Sequence, residues 1–271
     1  MGKSRKYKVG EKMVTLLIPT LGEREYELHR LFKSLEVQDN KNFDVVVISQ
    51  GNHENVEKVL SEYSIKFIHV RSDKRGLSLA RNLGLKYVRG DKMVLSDDDA
   101  WYPQNAISTV IDSFNKINAD VICFKIFDPI KQVDYKNYTN HKSKVDNFQI
   151  MKKSSVEICF DLDKIGVDVL KFNEEFGLGA KYSSGEENII LKDILNLNYS
   201  IIYENKILVY HEKKQKVTFN LSYIESKSML FKILFGKYKA FLFLNALLLK
   251  NISKIEGNKI KGIIFANRIL L

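Results

Sequence analysis

The sequence predicts an α/β protein: a doubly wound, mostly parallel sheet over residues 1–212, followed by a basic amphipathic helical tail over residues 213–271. Three observations carry this reading. Apolar, β-branched runs alternate through the first half with segments whose apolar residues recur at helical spacing. The runs are continuous, as strands covered on both faces require, whereas a half-exposed strand would alternate. The formal charge of +10 belongs wholly to residues 213–271, where 11 Lys and one Arg face only Glu225 and Glu256, so residues 1–212 are neutral overall.

Val14–Ile18 reads as the first strand, ending at Pro19, and Glu23–Gln38 as a helix with Leu28, Leu31, Phe32 and Leu35 on one side. The alternation repeats as strand Phe43–Ile48, helix Asn52–Tyr63 through Val56, Val59, Leu60 and Tyr63, and strand Ile65–Val70. A helix over Leu77–Val88 leads to a short strand at Lys92–Leu95. A helix near Pro103–Ile117 then precedes a buried strand at Val121–Phe127. Pro129–Lys153, rich in Lys, Asn and Tyr, is expected to be a long loop. Val156–Phe160 is a further strand, Glu186–Leu195 a helix with Ile189, Ile190, Ile194 and Leu195 on one side, and Ile201–Tyr210 is strand-like. In Leu221–Leu249, Leu230, Ile233, Leu234, Phe241 and Leu244 recur at helical intervals among Lys227, Lys232, Lys237 and Lys239.

With 271 residues, 45% hydrophobic and 28% charged, and only 3 prolines, the chain can build a sizeable core, which excludes a disordered or collagen-like protein. Cys123 and Cys159 lie in apolar surroundings, which fits buried thiols in a reducing compartment and neither a disulfide framework nor structural zinc. The run from Met13 to Pro19 is too short for a signal-peptide core. Lys6 stands where a myristoylation motif needs Ser or Thr. The longest uncharged apolar run, Ala240–Leu249, is about half of the roughly 20 residues a membrane span needs. The protein is therefore expected in the cytoplasm.

Three segments carry chemistry. Asp97, Asp98 and Asp99 directly follow the strand at Lys92–Leu95, and open α/β sheets bind ligands at the carboxyl ends of their strands. In extended backbone, residues i and i+2 share a face, so Asp97 and Asp99 are expected to converge while Asp98 points elsewhere. Two hard oxygen ligands suit Mg²⁺ or Mn²⁺, which neutralise phosphate oxygens. A solvated acidic turn or a helix cap is the alternative. The second segment, Phe176-Gly177-Leu178-Gly179 with Ser183-Ser184-Gly185-Glu186-Glu187-Asn188, sets two glycines before paired acids at a helix start. The acids suit a general base, and equally a capping box that favours the helix dipole. The third places Arg75 and Arg81 among small residues at a helix start, an arrangement that binds phosphate or simply packs helix on sheet.

These features occur in one order: the strand ending at Pro19-Thr20, the strand ending Ile48-Ser49-Gln50-Gly51-Asn52, Gly76-Leu77-Ser78-Leu79-Ala80-Arg81-Asn82, Asp97-Asp98-Asp99 and Gly185-Glu186-Glu187. Together they resemble glycosyltransferase family 2 over about residues 13–212, and the ordered set is more specific than any one member. The resemblance implies a GT-A fold and a nucleotide-sugar-dependent, inverting transferase of the kind that builds bacterial capsule, lipopolysaccharide or exopolysaccharide. It implies nucleotide-sugar binding by Pro19, Thr20, Gln50, Gly76, Arg81, Asp97 and Asp98, with Arg81 facing the nucleotide or diphosphate. It implies a divalent cation, Mn²⁺ or Mg²⁺, on Asp99 with Asp97 and His211, a catalytic base at Glu187, and Glu186 orienting the acceptor or supporting its neighbour. Trp101 and Tyr102, just past the acids, would stack on a sugar face or serve as core or rim.

One departure bears on the donor. Relatives usually end the second strand in an Asp-Asp pair that recognises uracil, and Ser49-Gln50 stands there. Gln50 both donates to and accepts from a pyrimidine edge, so UDP is the expected carrier and dTDP the alternative. In the tail, large apolar residues among lysines match an interfacial helix better than a nucleic-acid-binding face. The tail is expected to bring the enzyme to lipid-linked acceptors on the anionic inner face of the plasma membrane, or else to pack on the catalytic domain or on a second copy. Two rival functions remain. A sugar-phosphate nucleotidyltransferase needs a glycine-rich loop after the first strand, where Pro19-Thr20-Leu21-Gly22-Glu23 supplies one glycine. A non-catalytic relative serving as a binding subunit is opposed by the presence of Asp97, Asp99 and Glu187.

Overall fold

A computed structural model describes residues 12–213, 218–257 and 259–270. The Lys6 position and residues 214–217, where the tail begins, lie outside the described residues.

The chain opens with β1 (Val14–Thr20), α1 (Glu25–Glu36), β2 (Phe43–Ser49), α2 (His53–Ser61), β3 (Phe67–Arg71), α3 (Leu77–Leu85) and β4 (Lys92–Leu95). It continues with α4 (Ala106–Lys116), β5 (Val121–Asp128), β6 (Val133–Asp134), β7 (Ser143–Lys144), β8 (Ile158–Asp161), α5 (Leu162–Ile165), α6 (Glu186–Asn196) and β9 (Ile201–Tyr210). Two further helices, α7 (Leu221–Lys250) and α8 (Lys259–Leu270), form the tail. The strands lie in the order β3-β2-β1-β4-β8-β5-β9-β7, with β6 on β5. β1 to β4 are mutually parallel, as are β5 and β9, while β8 runs against both β4 and β5.

This order places the site. The chain steps from β1 outward to β2 and β3, then returns to set β4 on the other side of β1. The carboxyl ends of β1 and β4 therefore meet where the strand order reverses, which is where open α/β sheets hold ligands. Leu95 pairs with Leu17, so β4 ends while β1 still runs on to Thr20, and the acidic run is laid alongside it. β1 also shows why these strands are apolar throughout. Val14, Leu16 and Ile18 face a core shared with α1, α2 and α4, whereas Leu17 faces a second core shared with α3, α6 and α7.

The departures from expectation are local. The strand expected from Val156 begins at Ile158, because the Glu157 carboxylate accepts the Ser154 N–H at 2.9 Å and folds the intervening residues into a single turn. The stretch 129–153 is a loop carrying β6, β7 and a short 3-10 turn. It is pinned by buried Val145 and Ile150 and by Tyr138, whose ring stacks on Tyr203 at 5.7 Å. Both cysteines are free and buried. α7 is broken at Gly236, whose φ of 73° lies in the left-handed region that favours glycine. In its first half Leu230 lies over Gly185 at the start of α6, and Ile224 lies against Gly262 of α8. Its second half lies along α8, where the Asn245 and Asn267 amides bond to each other. Among the described residues, no helix is long and apolar enough to cross a membrane.

Candidate active site

β1 and β4 deliver the first groups. Beyond Ser96 the chain turns at once, the Ala100 N–H reaching back to the Asp97 carbonyl, so the extended alternation expected for the three acids does not apply. Asp97 and Asp99 diverge, and it is Asp98 and Asp99 that share a partner: Arg24 Nη1 donates to Asp98 Oδ1 at 3.1 Å and to Asp99 Oδ2 at 2.7 Å. Thr20, at the end of β1, donates its hydroxyl to Asp98 Oδ2 at 2.7 Å and accepts the Gly22 N–H. Burial raises the Asp98 carboxyl above its usual value, against the pull of Thr20 and Arg24.

Arg81 does not face a cavity, contrary to the expectation that it would meet the nucleotide or diphosphate. It is fully buried behind the site, donating from Nη2 to Asp97 Oδ1 at 3.0 Å and from Nη1 to Glu186 Oε1 at 2.9 Å. It reaches this place because α3 starts beneath the carboxyl edge of the sheet, so that a residue one turn in points under β4. The guanidinium fork thus holds two carboxylates, one from β4 and one from α6, in fixed relation. Asp97 is completed by the Ser155 hydroxyl at 3.4 Å. Burial raises the Asp97 carboxyl, with Arg81 opposing.

His211 follows β9. Its Nδ1 lies 2.8 Å from the Glu212 carbonyl oxygen and its Nε2 lies 3.0 Å from Asp99 Oδ1. A carbonyl only accepts, so Nδ1 carries the proton, and in a neutral ring Nε2 then turns a lone pair towards a carboxylate oxygen. Two acceptors at that distance require a proton or a cation between them. An imidazole fixed through its far nitrogen beside a carboxylate is the donor arrangement of a divalent-metal site. Asp97, expected as a third donor, is committed to Arg81 and Ser155. Among the described residues, no three His, Cys, Asp or Glu side chains converge as a metal cage. Two protein donors suit a cation that takes its remaining ligands from phosphate oxygens and water.

Two cavities adjoin here. One, of about 270 Å³, is lined by Pro19, Thr20, Gln50, Gly76, Asp98 and Asp99, with Asp97 at its border. The other, of about 230 Å³, is lined by Ser155, Glu186, Glu187 and His211, again with Asp97 at its border. Leu77 and Leu178 also border both. Gln50 is buried and donates both amide hydrogens, to the carbonyls of Lys74 at 2.7 Å and Gly76 at 3.0 Å, so its remaining polar atom, Oε1, only accepts. Glu187 is half-buried at the start of α6, and its carboxyl is pushed up to about 8 by burial and then by its neighbour Glu186, with Lys227 and Arg81 opposing.

The remaining aromatic residues take structural places. Trp101 is half-buried, with the Arg30 guanidinium 3.7 Å from its ring centre over one face, and Tyr102 is buried in the core and offers no face to a sugar. Arg24, Arg30 and Ser155 went unnoticed in the sequence. Arg24 and Arg30 have no pattern that separates them from solvated residues flanking or facing out of α1, and each meets the acidic run across about 70 positions of chain.

The chain is 26% identical over 195 residues to an uncharacterized glycosyltransferase of Rickettsia prowazekii, covering 65% of this chain and 60% of that relative's length. The fold is that of TarS from S. aureus, solved as residues 1–349 in complex with UDP-GlcNAc. There the TM-score is 0.64 at 18% identity, over 94% of this chain and 79% of that one. A mannosyltransferase of Pyrobaculum calidifontis in complex with GDP-Man and Mn²⁺ gives 0.60 at 13% identity, over 96% and 74% of the two chains. The architecture is the GT-A fold. Residues 15–167, more than half of the chain, match the model of Glycosyl transferase family 2, and the protein belongs to that family of glycosyltransferases.

Proposed function

We propose that this glycosyltransferase moves a sugar from a nucleotide-diphosphate donor to a hydroxyl of a lipid-linked glycan, with inversion at the anomeric carbon, in the synthesis of a bacterial surface polysaccharide such as capsule, lipopolysaccharide or exopolysaccharide. The observation that carries the reading is the pair of cavities meeting at Asp97. One side holds Asp98, Asp99 and a base-reading acceptor in Gln50; the other holds Glu187, the one carboxylate there that no buried arginine claims. The donor belongs in the first and the acceptor in the second. Uracil and thymine both present an imide N–H to Gln50 Oε1, which supports UDP and leaves dTDP as the alternative. That neighbours of this fold are complexed with UDP-GlcNAc, and with GDP-Man and Mn²⁺, supports a nucleotide-sugar and a divalent cation.

A divalent cation, Mn²⁺ or Mg²⁺, held by Asp99 and His211 would neutralise the diphosphate as its charge develops. The chain's own groups do the rest. Thr20 and Arg24 hold Asp98 and Asp99 in place, and Arg81 fixes Asp97 relative to Glu186. Glu187 removes the proton of the acceptor hydroxyl, whose oxygen forms the new bond to the anomeric carbon. The bond from that carbon to the diphosphate oxygen breaks, and its electron pair leaves with the nucleotide. Attack from the face opposite the leaving group inverts the centre.

Titration calorimetry with UDP, dTDP and GDP, each with and without Mn²⁺, tests the donor side. The expected result is metal-dependent binding of a uridine or thymidine diphosphate that Asp99→Ala abolishes. Equal binding without metal would remove the cation from the reading, and no nucleotide binding would remove the transferase role of the site.

The second half of α7 supports membrane attachment. Tyr238, Phe241 and Leu242 are exposed between Lys237, Lys239 and Lys250, an apolar stripe with cationic flanks that fits the boundary of an anionic leaflet on the cytoplasmic side. The protein is expected to sediment with anionic vesicles at low salt and to lose this when Phe241 and Leu242 are both replaced by Ser. Failure to sediment would return the tail to a purely packing role.

A further inference from the structure

Among the described residues, the two cavities share Leu77, Asp97 and Leu178 in their linings. With the nucleotide diphosphate in one cavity and the acceptor hydroxyl in the other, the sugar that passes between them sits at this common border. Its anomeric carbon is bonded to the diphosphate on one side and must be open to attack on the other. These three side chains therefore meet the transferred sugar, and two of them are leucines. The polar one, Asp97, has Oδ1 taken by Arg81 at 3.0 Å and Oδ2 3.4 Å from the Ser155 hydroxyl.

Leu178 is 66% exposed, so packing in the core does not account for an apolar side chain there. Its backbone is fixed from several directions. The Leu77 N–H donates to the Leu178 carbonyl at 2.9 Å, the Ser78 hydroxyl to the Phe176 carbonyl at 2.6 Å, and the Gly177 N–H to the Tyr182 carbonyl at 2.8 Å. Phe176 and Tyr182 are buried, with ring centres 4.7 Å apart. Gly177 has a φ of 108°, and a β-carbon there would lie 3.3 Å from Leu77 Cβ and 3.2 Å from Ser78 Oγ, so the loop is laid directly on the start of α3. Leu178 is thus tied through its backbone to the first residue of α3, and its side chain is left at the border of both cavities.

We propose that Leu178, together with Leu77, is a specificity-determining residue for the donor sugar and selects a sugar that carries a methyl group, as an N-acetyl or a 6-deoxy substituent does. This rests on the reading of the two cavities as donor and acceptor sites. A sugar hydroxyl turned towards the two leucines gives up water and gains no partner. A methyl turned the same way leaves water favourably. Asp97 Oδ2 keeps acceptor capacity for a hydroxyl elsewhere on the ring. One apolar group received by an apolar pocket discriminates by roughly 10–200-fold.

The test is titration calorimetry of the full chain in Mn²⁺ with UDP, UDP-glucose and UDP-galactose, and with the N-acetylamino and the 6-deoxy counterparts of both sugars. Wild type is expected to bind one methyl-bearing class at least about tenfold more tightly than the fully hydroxylated sugars, and the class preferred tells an acetamido methyl from a C6 methyl. In Leu178→Asn that ratio is expected to fall towards one, with Leu178→Ala in between. A loop disturbed for structural reasons would instead weaken UDP and every UDP-sugar alike and leave the ratio in place. Equal affinities for hydroxylated and methyl-bearing donors in wild type, or a preference that survives in Leu178→Asn, would overturn the proposal while UDP binding keeps the donor cavity. Absence of binding by UDP itself would sink the donor reading, and the sugar seat with it.

Discussion

Replacing Glu187 by Gln is expected to lower turnover by roughly 10²–10⁴-fold, the range a positioned general base supplies, while nucleotide binding persists. The amide keeps the size of the side chain and its place at the head of α6, so the donor cavity, which Glu187 does not line, is left intact. With the Glu187 carboxyl pushed to about 8 by burial and by Glu186, wild-type turnover should climb with pH through that region and level off above it. That rising limb should vanish from the residual activity of the variant. The same shift acts on stability with the opposite sense. A carboxyl whose folded value lies above its unfolded one binds more protons when folded, so its contribution is complete below the ordinary glutamate value of 4.5 and is lost as the pH rises through about 8. Glu187→Gln should therefore melt higher than wild type at pH 9 and show no such gain at pH 4. Full turnover in the variant would move the base elsewhere.

Arg81→Met is expected to be the most destabilising single change in the site, by about 3–5 kcal/mol. The guanidinium is wholly buried and holds Asp97 and Glu186 at 3.0 and 2.9 Å, and methionine fills much of its volume while leaving both carboxylates without their cation. For a chain of this size the midpoint of thermal unfolding should fall on the order of 10 °C. Arg81→Lys should recover only part of the loss, since one ammonium on a shorter stem cannot serve two carboxylates from different elements at once. A midpoint within a degree of wild type for Arg81→Met would show that the carboxylates are solvated, and that the clamp between β4 and α6 is not what orients Glu186.

The alternation of strands and one-sided helices was legible because it is local. The runs at Val14–Thr20 and Phe43–Ser49 and the periodicity of α1 and α2 depend on near neighbours in sequence, and each element appeared within a few residues of its expected limits. The ends were less legible, since they depend on who claims a backbone group: β8 starts late because Glu157 captures the Ser154 N–H. The acidic run was visible as chemistry and misjudged as geometry. Nothing in three aspartates reveals that the chain turns after Ser96, which sets Asp99 against His211 and sends Asp97 to Arg81.

The sequence by itself determined the main strands and the helices between them, their order and the family, because hydrophobic period and motif are carried by residues close together in the chain, whereas the short β6, β7 and α5 and the final helix α8 carried no such signal. Only the tertiary structure decided which charges meet. Arg24 reaches Asp99 across 75 positions and Arg81 reaches Glu186 across 105. Electrostatic pairing falls off with distance through space and is blind to separation along the chain, so the partners of a buried charge are settled only when sheet order and helix docking have been fixed.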